Sequence, residues 1–380
     1  MPALEEMRVL DMTQYEAGTS CTQILAWLGA DVVKLERPGI GDPGRVFSNG
    51  PHGPAYFLNY NSNKRSLALD LSGERGRNLF LRLVPRYDVF VENFAPGVME
   101  KLDIGYEVLK EINPRLIYGR MKGFGLSGPY ANYKCYDMIA QAAGGAYSVT
   151  GEADGPPMRP GPTYGDTGSG LQMALAITAA YVQRQRTGRG QFIELSMQEA
   201  VTLFMRTSVA SGSDWGQEAA PRTGNRAAAP TDLYPCAPGG PNDYVYIMVV
   251  TTRMWDTLCA AIGRPQLVTD ARFETMEGRH ENADALHAEI SKWTRERKKQ
   301  EVMQILGEAG VPCSYTFDTR DLWTDPHLRA RDFIQTVQHP ELESVELMRS
   351  PFRLSDSEVP LVAAPLLGEH SDEVLQQDIG

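Results

Sequence analysis

The first 120 residues alternate short β-branched or apolar runs with segments of helical periodicity. Residues 7–12 (MRVLDM), 31–35 (DVVKL), 66–71 (SLALDL), 87–92 (YDVFVE) and 116–121 (LIYGRM) read as strands. Between them, 21–28 (CTQILAWL) and 76–84 carry apolar residues at i, i+3 and i+4, as amphipathic helices do. Strands that alternate with helices imply βαβ units and a mostly parallel sheet, hence an α/β fold. Such sheets bind ligands beyond the carboxyl ends of their strands. The loops at 13–18, 36–39, 93–97 and 122–128 are therefore the places to look for a site.

Further along, 168–183 predicts a long packed helix, 191–196 a strand and 197–208 another helix. Periodicity then disappears from 214 to 243, where Gly, Ala, Pro and polar residues dominate, as in a connector between two lobes. A strand at 244–250 opens a second set of elements, with helices at 255–262, 283–293 and 300–309 and a strand at 311–316. The tail at 365–375 predicts a loop and a short helix capped by Ser371.

Composition narrows the class. A chain of 380 residues with 42% hydrophobic and 22% charged residues can bury a large core and is not disordered. Its formal net charge of −11 argues against nucleic acid, which needs a basic face, yet leaves room for a local cationic pocket. No apolar run approaches the ~18 residues of a membrane-spanning helix, and the acidic start MPALEEMRVL lacks a signal-peptide pattern. Cysteines at 21, 135, 236, 259 and 313 form no CxxC pair and read as buried thiols of a reducing, cytoplasmic compartment. Histidines at 52, 280, 287, 327, 339 and 370 show no metal-ligand spacing, so no metal is expected.

Two stretches remain as candidates for chemistry. In GPTYGDTGSG (161–170) one aspartate, Asp166, lies between glycines just before the long helix. It is either that helix's N-cap or, with backbone amides nearby, a base or a carboxylate nucleophile. In NYKCYDMIAQ (132–141), Lys134, Tyr136 and Asp137 precede a second apolar helix. Arg37, Lys64, Arg65 and Lys101 are further cations at or near the strand-end loops, a grouping that suits an anionic cofactor.

Together these segments resemble the class III CoA-transferases, a family that also holds α-methylacyl-CoA racemases. The likeness runs through nearly the whole chain. It is densest in VLDMTQYEAGTSCTQILAWLGADVVKLERPGIGDPGR, NSNKRSLALDL, VFVENFAPGVMEKLDIGYEVLKEINPRLIY, GFGLSGPY, YGDTGSG, TGRGQFIELSMQEA and PLLGEHSDEVL, and closest in pattern to the formyl-CoA transferase branch.

The resemblance implies a Rossmann-like parallel-sheet large domain (1–210 plus 325–380), a linker or mobile loop at 211–240 and a smaller α+β domain at 241–324. It also implies an interlocked homodimer, with a hetero-oligomer as the other possibility. Asp166 matches the family nucleophile, which passes through aspartyl anhydride and aspartyl-CoA thioester intermediates. CoA enters as a substrate, with no tightly bound cofactor. Its contacts map onto Glu16, Ala17, Arg37, Leu69, Asp70, Leu71, Ser72, Asn93, Phe94, Ala95, Lys101, Lys134, Cys135, Tyr136 and Asp137. The expected partners are an acyl-CoA donor and a carboxylate acceptor. A racemase or isomerase of the same fold and a non-catalytic CoA-binding subunit are the alternatives. The racemases carry His at the place of Tyr136, which disfavours two-base chemistry here. Formyl-CoA transferases carry Gln at the place of Glu16. A Glu there disfavours a dianionic acceptor unless it is protonated or paired with Arg, so the acceptor stays open among a dicarboxylate, a hydroxy acid and a hydrophobic carboxylate.

Overall fold

The structure, a computed structural model, describes residues 1–47, 49–50 and 53–380; His52 lies outside the described residues. Six strands form one all-parallel sheet: β1 (Arg8–Met12), β2 (Asp31–Glu36), β3 (Arg65–Ala68), β4 (Val89–Glu92), β5 (Ile117–Lys122) and β6 (Phe192–Ser196). Their spatial order is β3-β2-β1-β4-β5-β6. In the centre, Leu10 of β1 faces Val33 on one side and Phe90 on the other. The inner strands read as continuous apolar runs because both faces of the sheet are covered.

One face packs on α1 (Ala17–Trp27) and α4 (Thr167–Thr187) through a core that includes Val9, Cys21, Leu25, Ile117, Met173 and Ile177. The other packs on α2 (Glu74–Leu83) and α9 (Ser371–Ile379) through Leu10, Leu35, Phe80, Phe90, Tyr118 and Val374. The remaining principal helices are α3 (Asp137–Ala143), α5 (Met197–Phe204), α6 (Thr252–Ala261), α7 (Ala283–Thr294) and α8 (Lys299–Glu308). Ser371 does not cap α9 as expected. His370 holds that position, and the Ser371 hydroxyl instead accepts the Ala68 amide at the edge of β3.

The chain divides into two compact units, Met1–Val149 with Met158–Ala220 and Arg331–Gly380, and Thr150–Pro157 with Pro221–Ala330. The first contains the parallel sheet and a hairpin of β10 (Ile334–His339) and β11 (Glu343–Met348), which pairs Ile334 with Met348. The second has an antiparallel sheet of β7 (Asp232–Pro235), β8 (Tyr244–Ile247) and β9 (Cys313–Tyr315), in the order β9-β8-β7. Its core includes Trp255, Phe273, Leu286 and Leu306. Strand β7 falls inside the 214–243 stretch where composition predicts a connector. Its four residues, between cis prolines at 230 and 238, are too short to show a period. No described helix is long and apolar enough to cross a membrane.

Candidate active site

The strand order reverses direction between β1 and β4, and this switch point is where an open α/β sheet leaves a crevice at its carboxyl edge. The loop after β1 enters the crevice through Tyr15, whose φ of 59° is left-handed and strained for an aromatic residue. Buried charge holds it there. Lys34 Nζ donates to the Thr13 carbonyl at 2.8 Å and pairs with Asp42 at 2.8 Å, and Asp42 Oδ1 accepts the Tyr15 amide at 3.1 Å. Gly18 is obligatory at the turn into α1, because a Cβ there would lie 2.4 Å from Thr13 Cγ2.

A cavity of about 380 Å³ opens at this point. Of the residues singled out in the sequence, Ala17, Asn93, Phe94, Ala95, Lys134, Cys135, Tyr136 and Asp166 all line it. Gln14, Tyr15, Lys122, Tyr133 and Met197 line it as well; the first four fall in the 13–18 and 122–128 loops and the 132–141 stretch marked in the sequence, and Met197 lies outside them. Cys135 packs so closely on the end of β5 that a Cβ on Gly123 would lie 2.0 Å from its own. Burial and the nearby Asp166 and Asp137 push its thiol up to about 11, so it is a wall rather than a nucleophile. Tyr136 is exposed and stands edge-on to Tyr15.

Asp166 occupies the N-cap position of α4, but its side chain makes no capping hydrogen bond. Its backbone is already helical, at φ −86° and ψ −73°, whereas a capping aspartate is normally extended. Among the described residues its carboxylate has neither a hydrogen-bond donor nor an ion-pair partner. Burial, then the charges of Glu16 and Asp137, push this carboxyl up to about 8.

The other predicted residues fall around this centre. The Glu16 side chain is buried behind the cavity, accepting hydrogen bonds from Thr163 and from Thr167 (2.8 Å), with the Tyr56 hydroxyl at 3.4 Å. Asp137 is buried too, and its carboxylate binds backbone amides of the Asp166 loop. Arg37 follows β2 and is exposed; Leu69, Asp70, Leu71 and Ser72 follow β3. There the Ser72 hydroxyl and amide bind Asp70 Oδ1 at 2.6 and 3.0 Å and hold its carboxyl low. Lys101 is exposed at the end of a short helix, Val98–Lys101. None of these six lines the 380 Å³ cavity, but all follow carboxyl ends of the sheet's strands, on its ligand side.

Lys64 and Arg65 do not belong with them. Lys64 is fully enclosed and bound to Asp11, Thr19 and Asn61. Arg65 begins β3, at the amino edge of the sheet, where it pairs with Asp31 and Glu373. A parallel strand presents its two ends to opposite edges, and proximity in sequence does not tell which edge a neighbouring cation reaches.

A desolvated carboxylate without hydrogen bonds, on a cavity walled by backbone loops and two lysines, is equipped for nucleophilic attack on an acyl group. The chain is 41% identical to formyl-CoA:oxalate CoA-transferase of Streptomyces coelicolor, over 100% of this chain and 95% of that one. It is 38% identical to the protein of the same name from Rhodopseudomonas palustris strain BisA53, over 100% and 94%. A CAIB/BAIF family protein from Brucella suis superimposes with a TM-score of 0.88 at 32% identity, covering 98% of each chain. Rv3272 from Mycobacterium tuberculosis does so at 0.85 and 29%, over 98% and 99%. The profile described as CoA-transferase family III matches residues 4–371, and the chain belongs to that family of CoA-transferring enzymes.

Proposed function

We propose that this enzyme moves CoA from an acyl-CoA donor to a carboxylic acid acceptor through covalent intermediates on Asp166. The observation that carries the reading is the Asp166 carboxylate itself, placed at a helix N-terminus yet released from capping it. An Asp166 carboxylate oxygen attacks the donor thioester carbonyl; the C–S bond breaks, leaving an aspartyl anhydride and CoA thiolate. The thiolate then attacks the aspartyl carbonyl, expels the donor acid and forms an aspartyl-CoA thioester. The acceptor carboxylate displaces CoA to give a second anhydride. Attack of the thiolate on the acceptor carbonyl then releases the new acyl-CoA and restores Asp166. Anhydride and thioester are close in acyl-transfer potential, so the cycle needs only the exclusion of water.

In this reading CoA is a substrate rather than a resident cofactor. Ala17, Asn93, Phe94, Ala95, Lys134, Cys135 and Tyr136 border its reactive end. Glu16, Arg37, Leu69, Asp70, Leu71, Ser72, Lys101 and Asp137 make up the rest of the proposed site, with Arg37 and Lys101 the cations available to phosphates. A homodimer is the expected assembly: Leu171, Leu175 and Val182 of α4 and Leu203 and Phe204 of α5 leave large apolar side chains exposed. Five free thiols fit a reducing, cytoplasmic setting. The names of the relatives make formyl-CoA and oxalate the first donor and acceptor to assay. The test is mass spectrometry of the enzyme mixed with acyl-CoA and trapped with hydroxylamine or borohydride. The expected result is a modification on Asp166 that Asp166→Asn abolishes together with turnover; an unmodified Asp166, or an active Asp166→Asn enzyme, overturns the reading.

A further inference from the structure

We propose that Asp137 is a positioning residue for the Asp166 nucleophile, acting through the Gly165–Asp166 backbone and through its own charge, and not a CoA contact. The proposal rests on the reading of Asp166 as nucleophile. Asp137 opens α3 and its carboxylate is turned inward. One oxygen, Oδ1, accepts the amides of both Gly165 and Asp166, at 2.9 and 3.1 Å. The other, Oδ2, accepts from Gln141 Nε2 at 2.7 Å, one helical turn on. The same Nε2 donates to the Pro162 carbonyl at 3.1 Å, so one turn of α3 grips the 162–166 loop at both ends.

Gly165 shows how tight that grip is. A Cβ there would lie 2.7 Å from the Asp137 carbonyl oxygen and 3.0 Å from Oδ1. By holding the Gly165 and Asp166 amides, Asp137 fixes the backbone from which the Asp166 side chain projects, and that carboxylate makes no capping hydrogen bond to α4. A bare anion beside a second buried anion is a stronger base and nucleophile than a solvated one. The ionisable groups that face Asp166 are Glu16 from the loop before α1, Asp137 from α3, Tyr56 and Tyr60 from the helix at Ala55–Asn61, and Cys135. Lys134 lines the same cavity. Among the described residues, Glu16 and Asp137 are the groups whose charge opposes ionisation of Asp166.

Two variants separate position from charge. Asp137→Ala removes both, and kcat is expected to fall roughly 100-fold, the scale of a misplaced reacting group, with KM for acyl-CoA little changed. Asp137→Asn keeps an oxygen for the two amides, and the Gln141 Oε1, which has no hydrogen-bond partner among the described residues, can turn to accept from the new amide. Here the acid limb of the kcat/KM profile is expected to move to lower pH, because the like charge that raised Asp166 is gone, and adduct formation on Asp166, read above that limb where the carboxylate is ionised in both proteins, is expected to slow. A raised KM with kcat and the acid limb unchanged in the asparagine variant overturns the proposal and makes Asp137 a CoA contact. Should the alanine variant fail to fold, the asparagine variant decides alone. Retained turnover in Asp166→Asn would instead sink the nucleophile reading, whereas an adduct that forms at the wild-type rate in Asp137→Asn sinks only the present one.

Discussion

The side chain of Asn93 is paired to the backbone of Gln14 by two hydrogen bonds, Oδ1 accepting the Gln14 amide at 2.8 Å and Nδ2 donating to its carbonyl at 2.9 Å. This bond pair ties the loop after β1 to the loop after β4 across the switch point, and it occupies the amide group that a ligand would otherwise use. Asn93 thus shapes the cavity wall while its own polar atoms are spent inside the protein.

Asn93→Ala is expected to loosen both loops. At about 1 kcal/mol for each hydrogen bond lost, the change is worth roughly 2 kcal/mol. That bounds the loss of acyl-CoA affinity at about thirtyfold, and the cost is expected mainly in KM and in a lower Tm. Isothermal titration with CoA and a melting curve check both. Asn93→Asp keeps the acceptor but faces the Gln14 carbonyl with an oxygen, so it is expected to fall no closer to wild type.

The raised carboxyl of Asp166 predicts how stability depends on pH. In the unfolded chain this group loses its proton near the ordinary aspartate value, and in the folded chain near 8. Between those values the folded state holds more protons than the unfolded one, so this group makes stability fall as pH rises. Removing the charge in Asp166→Asn is expected to abolish that component. The variant should melt above the wild type at pH 8 and converge with it toward pH 4, while losing activity at both. Equal differences in Tm at the two pH values contradict the assignment.

Lys64 offers a sharper case of buried charge. Its ammonium lies 2.9 Å from Asp11 at the end of β1, and both side chains are inaccessible. Asp11 also accepts from Thr13 and, at 2.7 Å, from Thr22, which fixes the start of the loop and the first turns of α1. Against the desolvation of burial, Lys64 and then Lys34 hold the Asp11 carboxyl down to about 2. Lys64→Met strands that anion and is expected to cost about 3–5 kcal/mol by denaturant unfolding. The double variant Lys64→Met with Asp11→Leu is expected to recover much of the loss in stability but not the loop geometry, and so not the affinity for CoA.

These residues show what can be read from the sequence and what cannot. The alternation of apolar runs predicts β1 to β6 within a few residues, because a doubly covered parallel sheet requires continuous apolar strands. The same pattern points to the loops that gather at the crevice, and glycines mark Asp166. Polar burial has no such periodicity. Lys34, Lys64 and Arg65 look alike in the sequence, yet one braces a loop from below, one neutralises Asp11 and one sits at the opposite edge of the sheet. The N-cap reading of Asp166 was open for the same reason. It depends on the backbone conformation at Asp166, and the carboxylate that grips that backbone, Asp137, lies 29 residues away in sequence.

Glu16 bears on the acceptor acid. Its carboxylate is 4% exposed and held by the hydroxyls of Thr163, Thr167 and Tyr56. Among the described residues no Lys or Arg pairs with it. Thr163, in the loop before α4, and Thr167, its first residue, flank Asp166 in sequence, so the buried Glu16 carboxylate stands close to that of Asp166. Pairing with Arg, which would have relieved the conflict with a second anion, is absent from its surroundings. A compact dicarboxylate brings its second charge into this neighbourhood at a cost that a monocarboxylate of the same size does not meet. Glycolate is therefore expected to outperform oxalate as acceptor for the wild-type enzyme, read as kcat/KM with one acyl-CoA donor. Glu16→Gln removes the charge at nearly constant volume and is expected to raise the oxalate-to-glycolate ratio by about tenfold or more, the equivalent of 1.4 kcal/mol. A wild-type enzyme that prefers oxalate, or a ratio that does not move in the variant, contradicts this assignment of Glu16 and leaves the role of Asp166 to its own test.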